Sequence, residues 1–229
     1  MSPLSRILER YLNILVAPPG RGPNVCATCF RRTDGYLRCL QCNSHFREFG
    51  AELADVVVII SMAGRGGQLA RVLAKYKYGE RPEMRKQFTD ELAYVLATFL
   101  AKHRRCLGEF DIVTVVPGTR QRTTTHPLID ILSRRLNITR RQFAEVLTTS
   151  SSNSRQLRPD EYTVQVDVTG ERVLLIDDQW TSGASLQSSA IALRRAGAAR
   201  VVGLVIGRRV DVEPSGRFDW DFCRLCQQD

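Results

Sequence analysis

Apolar positions along the chain fall into two alternating periodicities. Leu4, Ile7, Leu8, Tyr11 and Leu15 recur at helical spacing behind Ser2-Pro3, an N-cap followed by a first-turn proline. Ala17-Pro18-Pro19-Gly20-Arg21-Gly22-Pro23 breaks that helix and reads as a linker. Val56 to Ile60 is continuous and β-branched, which predicts a buried strand. Gly64-Arg65-Gly66-Gly67 opens a helix with Leu69, Val72, Leu73 and Tyr76 on one face. Gly79 ends it, and Pro82 starts a second helix with Phe88, Leu92, Val95, Leu96 and Phe99 inward.

Beyond that point strands and helices alternate. Strands are predicted at Ile112–Val116, Phe143–Leu147, Arg172–Ile176 and Arg200–Ile206, and helices at Pro127–Leu136 and Gly183–Ala196. This order predicts an α/β fold, a parallel sheet with helices on both faces. The long connection from Thr148 to Thr163 has the length of a lid or binding loop.

Seven cysteines add a second feature. Six form C-x-x-C pairs, Cys26/Cys29, Cys39/Cys42 and Cys223/Cys226, and Cys106 stands alone. Two pairs nine residues apart suit a small N-terminal module in which four thiolates surround a structural Zn²⁺, with Arg31, Arg32 and Arg38 favouring the thiolate form. The third pair is compatible with three arrangements: replacing one of the first two, joining a histidine such as His45, or remaining unligated. The expected organisation is therefore an N-terminal helix and linker (1–22), a zinc module (23–50), a connecting strand and helices (51–108), the main α/β domain (109–209) and a tail with the last cysteine pair (210–229).

Composition changes the picture in two respects. The chain has 229 residues and a formal charge of +9, with 29 arginines against four lysines, so anionic partners are favoured. No apolar run approaches the ~20 residues needed to cross a bilayer. Arg6, Glu9 and Arg10 interrupt the amino-terminal pattern where a secretory signal needs an apolar stretch, so a cytoplasmic chain with no membrane partner is expected.

Candidate chemistry sits at Val173-Leu174-Leu175-Ile176-Asp177-Asp178-Gln179-Trp180-Thr181-Ser182-Gly183-Ala184-Ser185. An apolar strand delivers two carboxylates to its carboxyl end, where open α/β sheets bind ligands. A hydroxyl-rich turn then enters a helix, whose first N–H groups form an anion cradle. Acids beside a phosphate cradle suit a ligand with sugar hydroxyls or bound Mg²⁺, such as a ribose 5-phosphate.

Asp177 to Ser185 resembles the phosphoribosyl diphosphate (PRPP) motif of type I phosphoribosyltransferases. The wider layout, a four-cysteine module, the segment Lys75-Tyr76-Lys77-Tyr78-Gly79 and then the motif, is similar to the ComF-like branch of that superfamily. The resemblance implies that Asp177 and Asp178, the catalytic pair, hold the ribose hydroxyls directly or through Mg²⁺-bound water. It implies that Thr181, Ser182, Gly183, Ala184 and Ser185 wrap the 5-phosphate, and that Gly118, Thr119 and Arg120, with Arg122 nearby, bind pyrophosphate. The Thr148–Thr163 loop, with Arg155 and Arg158, would be the closing hood. The implied reaction transfers phosphoribosyl from Mg·PRPP to a small nitrogen nucleophile and releases pyrophosphate. Thr181 replaces the acid of purine-salvage relatives, which argues against a purine handled in their way. Trp180 faces either a planar acceptor or the core, and His126 reads as a helix cap. The resemblance also supports an alternative: a competence-type accessory protein that binds nucleic acid, with PRPP bound but not turned over.

Overall fold

The computed structural model describes residues 3–118, 126–150, 155–212 and 214–228. Helix α1 (Pro3–Leu12) leads through the linker to the cysteine module, which ends in α2 (Leu40–Phe49). Strand β1 (Val56–Gly64) is followed by α3 (Gln68–Tyr78) and the long α4 (Pro82–Leu107). Next come β2 (Ile112–Val115), a short α5 (Pro127–Asp130) that widens into a π turn over Ile131–Arg135, and α6 (Asn137–Arg140). A small hairpin pairs β3 (Leu147–Thr149) with β4 (Tyr162–Val164), and β5 (Arg172–Trp180), α7 (Ala184–Arg195) and β6 (Arg200–Val210) complete the order.

Four strands form a parallel sheet in the order β1-β6-β5-β2. The segment read as a connector therefore supplies an edge strand of this sheet, with Val58 opposite Leu204 and Ile59 opposite Val205. Alternation along β5 explains the need for cover on both faces. Leu174 and Ile176 join the core made with α3 and α4, which includes Leu73, Leu96 and Phe99. Val173 and Leu175 join the opposite core, with Leu186, Ala190 and Leu193 of α7 and with Cys26, Cys29 and Phe30 of the cysteine module. The module is thus packed against the sheet's second face.

Two glycines of β6 let the helices approach. A Cβ at Gly203 would lie 2.9 Å from Leu186 Cδ2, and one at Gly207 would lie 2.5 Å from Leu73 Cδ1. α1 is held to α4 through polar atoms as well as apolar ones: the Tyr11 hydroxyl donates to the buried Glu91 carboxylate at 3.0 Å, and Gln87 donates to its other oxygen at 2.8 Å. Val16, just beyond α1, bridges to Met62 and donates its N–H to Ser61 Oγ at 2.8 Å, so the linker covers part of the β1 edge.

One expectation shifts. The predicted strand Phe143–Leu147 makes one parallel bridge, Phe143 to Val113, and regular pairing starts only at Leu147. The segment brushes the short β2 and then turns away into the hairpin. That hairpin also pins both ends of the long loop, where Thr149 Oγ1 donates to the Glu161 carbonyl at 2.9 Å.

Gly207→Val should lower stability by ~1–3 kcal/mol, because the added methyls meet Leu73 in a packed layer. Urea unfolding followed by circular dichroism measures this, and an unchanged midpoint would contradict the close α3–β6 packing.

Candidate functional site

The carboxyl ends of β1, β2, β5 and β6 open into a cavity of about 670 Å³. Asp177, Asp178, Thr181, Ser182, Gly183, Ala184 and Ser185 all line it, as does Gly118 from the turn after β2. Thr119, Arg120 and Arg122 lie outside the described residues. Sequence patterning therefore located most of this wall. It did not single out four of the cations that face it, Arg65 after β1, Arg71 and Lys77 of α3 and Arg209 of β6; Arg155, expected in the long loop, is the fifth. Five cations against two acids make the described lining electropositive.

The strand carries the acids further than expected. β5 continues through Trp180, so Asp177 pairs with Val205 and the motif's first residues are fixed by ladder hydrogen bonds. Asp178 is buried, and the Lys77 ammonium meets its Oδ2 at 2.6 Å. Burial works against the ionised form of Asp178, but the Lys77 charge, helped by His126, outweighs it and holds the carboxyl below its usual range. Burial, and then the charge of Asp178, push the neighbouring Asp177 well above that range. The Asp177 Oδ1 accepts the Asp178 N–H at 2.9 Å. One acid is thus kept charged by a lysine while its neighbour holds a proton more tightly. Lys77 lies in the Lys-Tyr segment, in the last turn of α3 and two residues before Gly79, which places it over the strand end.

The turn after β5 depends on glycine twice. Gly183 has φ +82°, the left-handed region, and a Cβ there would stand 2.1 Å from the Trp180 ring. Trp180 itself is 1% exposed and belongs to the α7-side core, so it supports the turn from below and does not face an acceptor. Ser182 Oγ accepts the Ala184 N–H at 3.3 Å, at the start of α7. The Tyr162 hydroxyl of β4 lies beside Ser185, which brings the hairpin next to the turn. His126 acts as expected: its Nδ1 accepts the Leu128 N–H at 3.1 Å and caps α5. Of the two hood arginines, Arg155 reaches the cavity. Arg158 instead pairs with Glu161 at 2.9 Å and donates its N–H to Ser188 of α7 at 2.8 Å.

The four-cysteine module is assembled as its spacing requires. The ligand atoms of Cys26, Cys29, Cys39 and Cys42 all lie within 4.8 Å of one another and could hold a zinc ion. Cys39 caps α2 and Cys42 lies in its first turn, while Phe30, with φ +60°, turns the chain after Cys29. The guanidinium that reaches a sulfur comes from β6: Arg208 Nη2 stands 3.8 Å from Cys29 Sγ. Among the arginines expected to serve the thiolates, Arg38 stacks over Phe46 at 3.7 Å and Arg31 and Arg32 are exposed. Arg208 also donates to the Thr181 carbonyl at 3.1 Å, so one buried side chain touches both the cysteine module and the turn after β5. His45 hydrogen-bonds Gln41 at 2.7 Å and does not join the third cysteine pair.

No helix among the described residues is long and apolar enough to cross a membrane. No protein-family model matches the chain, and no curated protein matches it. Among solved structures, the chain is similar to the allosteric regulatory enzyme of purine biosynthesis, at 19% identity and a TM-score of 0.36. The match covers 58% of this chain and 30% of that one, so the chain spans less than a third of that enzyme's length. A likeness that low carries no functional weight.

Two outcomes check the electrostatics. Lys77→Met should cost ~3–5 kcal/mol at pH 7, since it strands a buried carboxylate, and adding Asp178→Asn should restore much of the loss. Urea midpoints of the single and double variants measure this; equal losses in both would contradict the pairing. For Asp177 the folded form binds its proton more tightly than the unfolded chain does. Its contribution to stability is full below the unfolded value of ~4 and is lost as pH rises through the higher folded value. Asp177→Asn should therefore flatten the stability profile in that window and raise stability at neutral pH.

Proposed function

We propose that this chain binds Mg·PRPP and transfers its phosphoribosyl group to a nitrogen nucleophile, in the manner of the ComF-like phosphoribosyltransferases its motif resembles. The observation that carries this reading is the joining of three features in one cavity. Two carboxylates lie near the carboxyl end of β5, a glycine-dependent hydroxyl turn opens α7, and five cations surround them.

The assignments follow from the chemistry of each group. N–H groups at the start of α7 and the Thr181, Ser182 and Ser185 hydroxyls take the 5-phosphate; Gly183 keeps the backbone close, since any Cβ would collide with Trp180. Asp177 and Asp178 accept hydrogen bonds from the ribose 2- and 3-hydroxyls. Their oxygen donors also suit a hard cation, and Mg²⁺ arriving with the substrate supplies charge neutralisation for the departing pyrophosphate. Gly118 lines the pyrophosphate side, the motif resemblance assigns Thr119 and Arg120 to the same group, and Arg65, Arg71 and Arg209 add positive charge around the ligand.

In the reaction the bond from ribose C1 to pyrophosphate oxygen breaks with its electron pair leaving on pyrophosphate. A C1–N bond forms on the opposite face, and the nitrogen's proton passes to solvent. Catalysis is by positioning and charge stabilisation. Thr181 has no acid–base capacity at neutral pH, so an acceptor that needs deprotonation at that position is disfavoured.

Calorimetric titration of Mg·PRPP should show saturable binding, weakened at least about 100-fold (about 2.7 kcal/mol) by Asp178→Asn with Thr181→Ala. Pyrophosphate release on adding nitrogen acceptors then tests turnover. Undetectable binding to the folded, zinc-loaded protein would end this reading.

A further inference from the structure

The third cysteine pair does not stay alone. Cys223 and Cys226 lie on the tail, and the fold brings them to the carboxyl end of α4, where Cys106 and His103 project one turn apart on the same helix face. The ligand atoms of these four residues lie within 4.8 Å of one another, as compact a set as the four-cysteine module. Cys106 Sγ is 3.1 Å from Cys226 Sγ, and Cys223 Sγ is 3.4 Å from the same atom. His103 Nδ1 stands 3.4 Å from Cys226 Sγ and 3.9 Å from Cys106 Sγ. Around a tetrahedral zinc, sulfur–sulfur edges are about 3.8 Å and sulfur–nitrogen edges about 3.5 Å, so the set encloses the ion with shifts below about 1 Å.

Support around the ligands makes this more than a coincidence of sulfurs. His103 Nε2 bonds the Trp220 carbonyl at 3.1 Å. A carbonyl only accepts, so Nε2 carries the proton, and Nδ1 presents its lone pair to the three sulfurs. The helix departs from regular geometry at His103, with φ −106° and ψ 15°, which turns that ring toward the cluster. On the tail, the Cys226 N–H closes a tight turn onto the Cys223 carbonyl at 3.1 Å and aims both thiols the same way. The tail is fixed by Phe218, Trp220 and Cys223, all buried in the α4-side core.

We propose that His103, Cys106, Cys223 and Cys226 form a second, structural zinc site that clamps the tail onto α4. Three thiolates and one neutral imidazole are a soft, closed ligand set of the kind that selects Zn²⁺. The site lies outside the cavity and does not depend on PRPP binding. The clamp also bears on the first module, because Arg224, inside the C-x-x-C turn, stacks over Phe30 at 4.2 Å.

The test is metal analysis of the full chain purified with zinc and without chelator. Two zinc equivalents per chain are expected. Cys26→Ser with Cys29→Ser should retain one, and Cys106→Ser with Cys226→Ser should also retain one. Thiol titration of the unreduced protein, unfolded with chelator, should count all seven cysteines and needs no variant. One equivalent in the unaltered protein, lost entirely with Cys26 and Cys29, would overturn the proposal. A count of five thiols would also overturn it, since two of these sulfurs would then form a disulfide.

Discussion

A strand buried on both faces cannot end in two adjacent carboxylates unless their charge is answered, and much of the molecule is arranged to answer it. Lys77 reaches Asp178 because α3 runs back across the sheet from β1, which pairs with β6, and because Gly207 of β6 lets Leu73 of α3 press close. The answer is partial. Asp178 is satisfied while Asp177 is left as an acid held against its own ionisation by burial and by its neighbour. Such a pair is costly to stability and valuable to a ligand that brings hydroxyls or a cation, as expected where function and folding compete for the same residues.

A second constraint joins parts of the chain that are distant in sequence. Arg208 is buried on β6, between the carbonyl of Thr181 and the sulfur of Cys29. A buried guanidinium needs partners for its donors, and these are the turn that lines the cavity and the module that the sequence places far upstream. The module therefore packs as part of one core with α7, and its cysteines are counted among the residues covering Val173 and Leu175.

The sequence made the scaffold readable where periodicity is long. Leu69, Val72, Leu73 and Tyr76 are the buried face of α3, and the apolar run of β5 marks a strand covered on both sides. It misled where pairing is short, at Phe143–Leu147, because a single bridge leaves no periodic trace. The motif residues are local in sequence and were legible; Lys77, Arg65 and Arg209 reach the cavity only by folding, and a lone cation on a basic chain has no signature. Cys106 shows the same limit: 117 positions separate it from Cys223, and nothing in the spacing links H-x-x-C on a helix to C-x-x-C on a tail. For Trp180 the sequence is compatible with either core or ligand contact, and the ring lies beneath Gly183.

The placement of the two tryptophans has an optical consequence. The chain contains only Trp180 and Trp220. One ring underlies the turn at the head of α7, while the other packs edge-on to Phe218 at 5.0 Å and lends its carbonyl to His103. Both are largely screened from solvent, so each emits from an apolar setting set by its own locality. Replacing either indole with phenylalanine leaves a single indole emitter, and the tryptophan fluorescence of the chain then separates into one channel for the cavity and another for the tail.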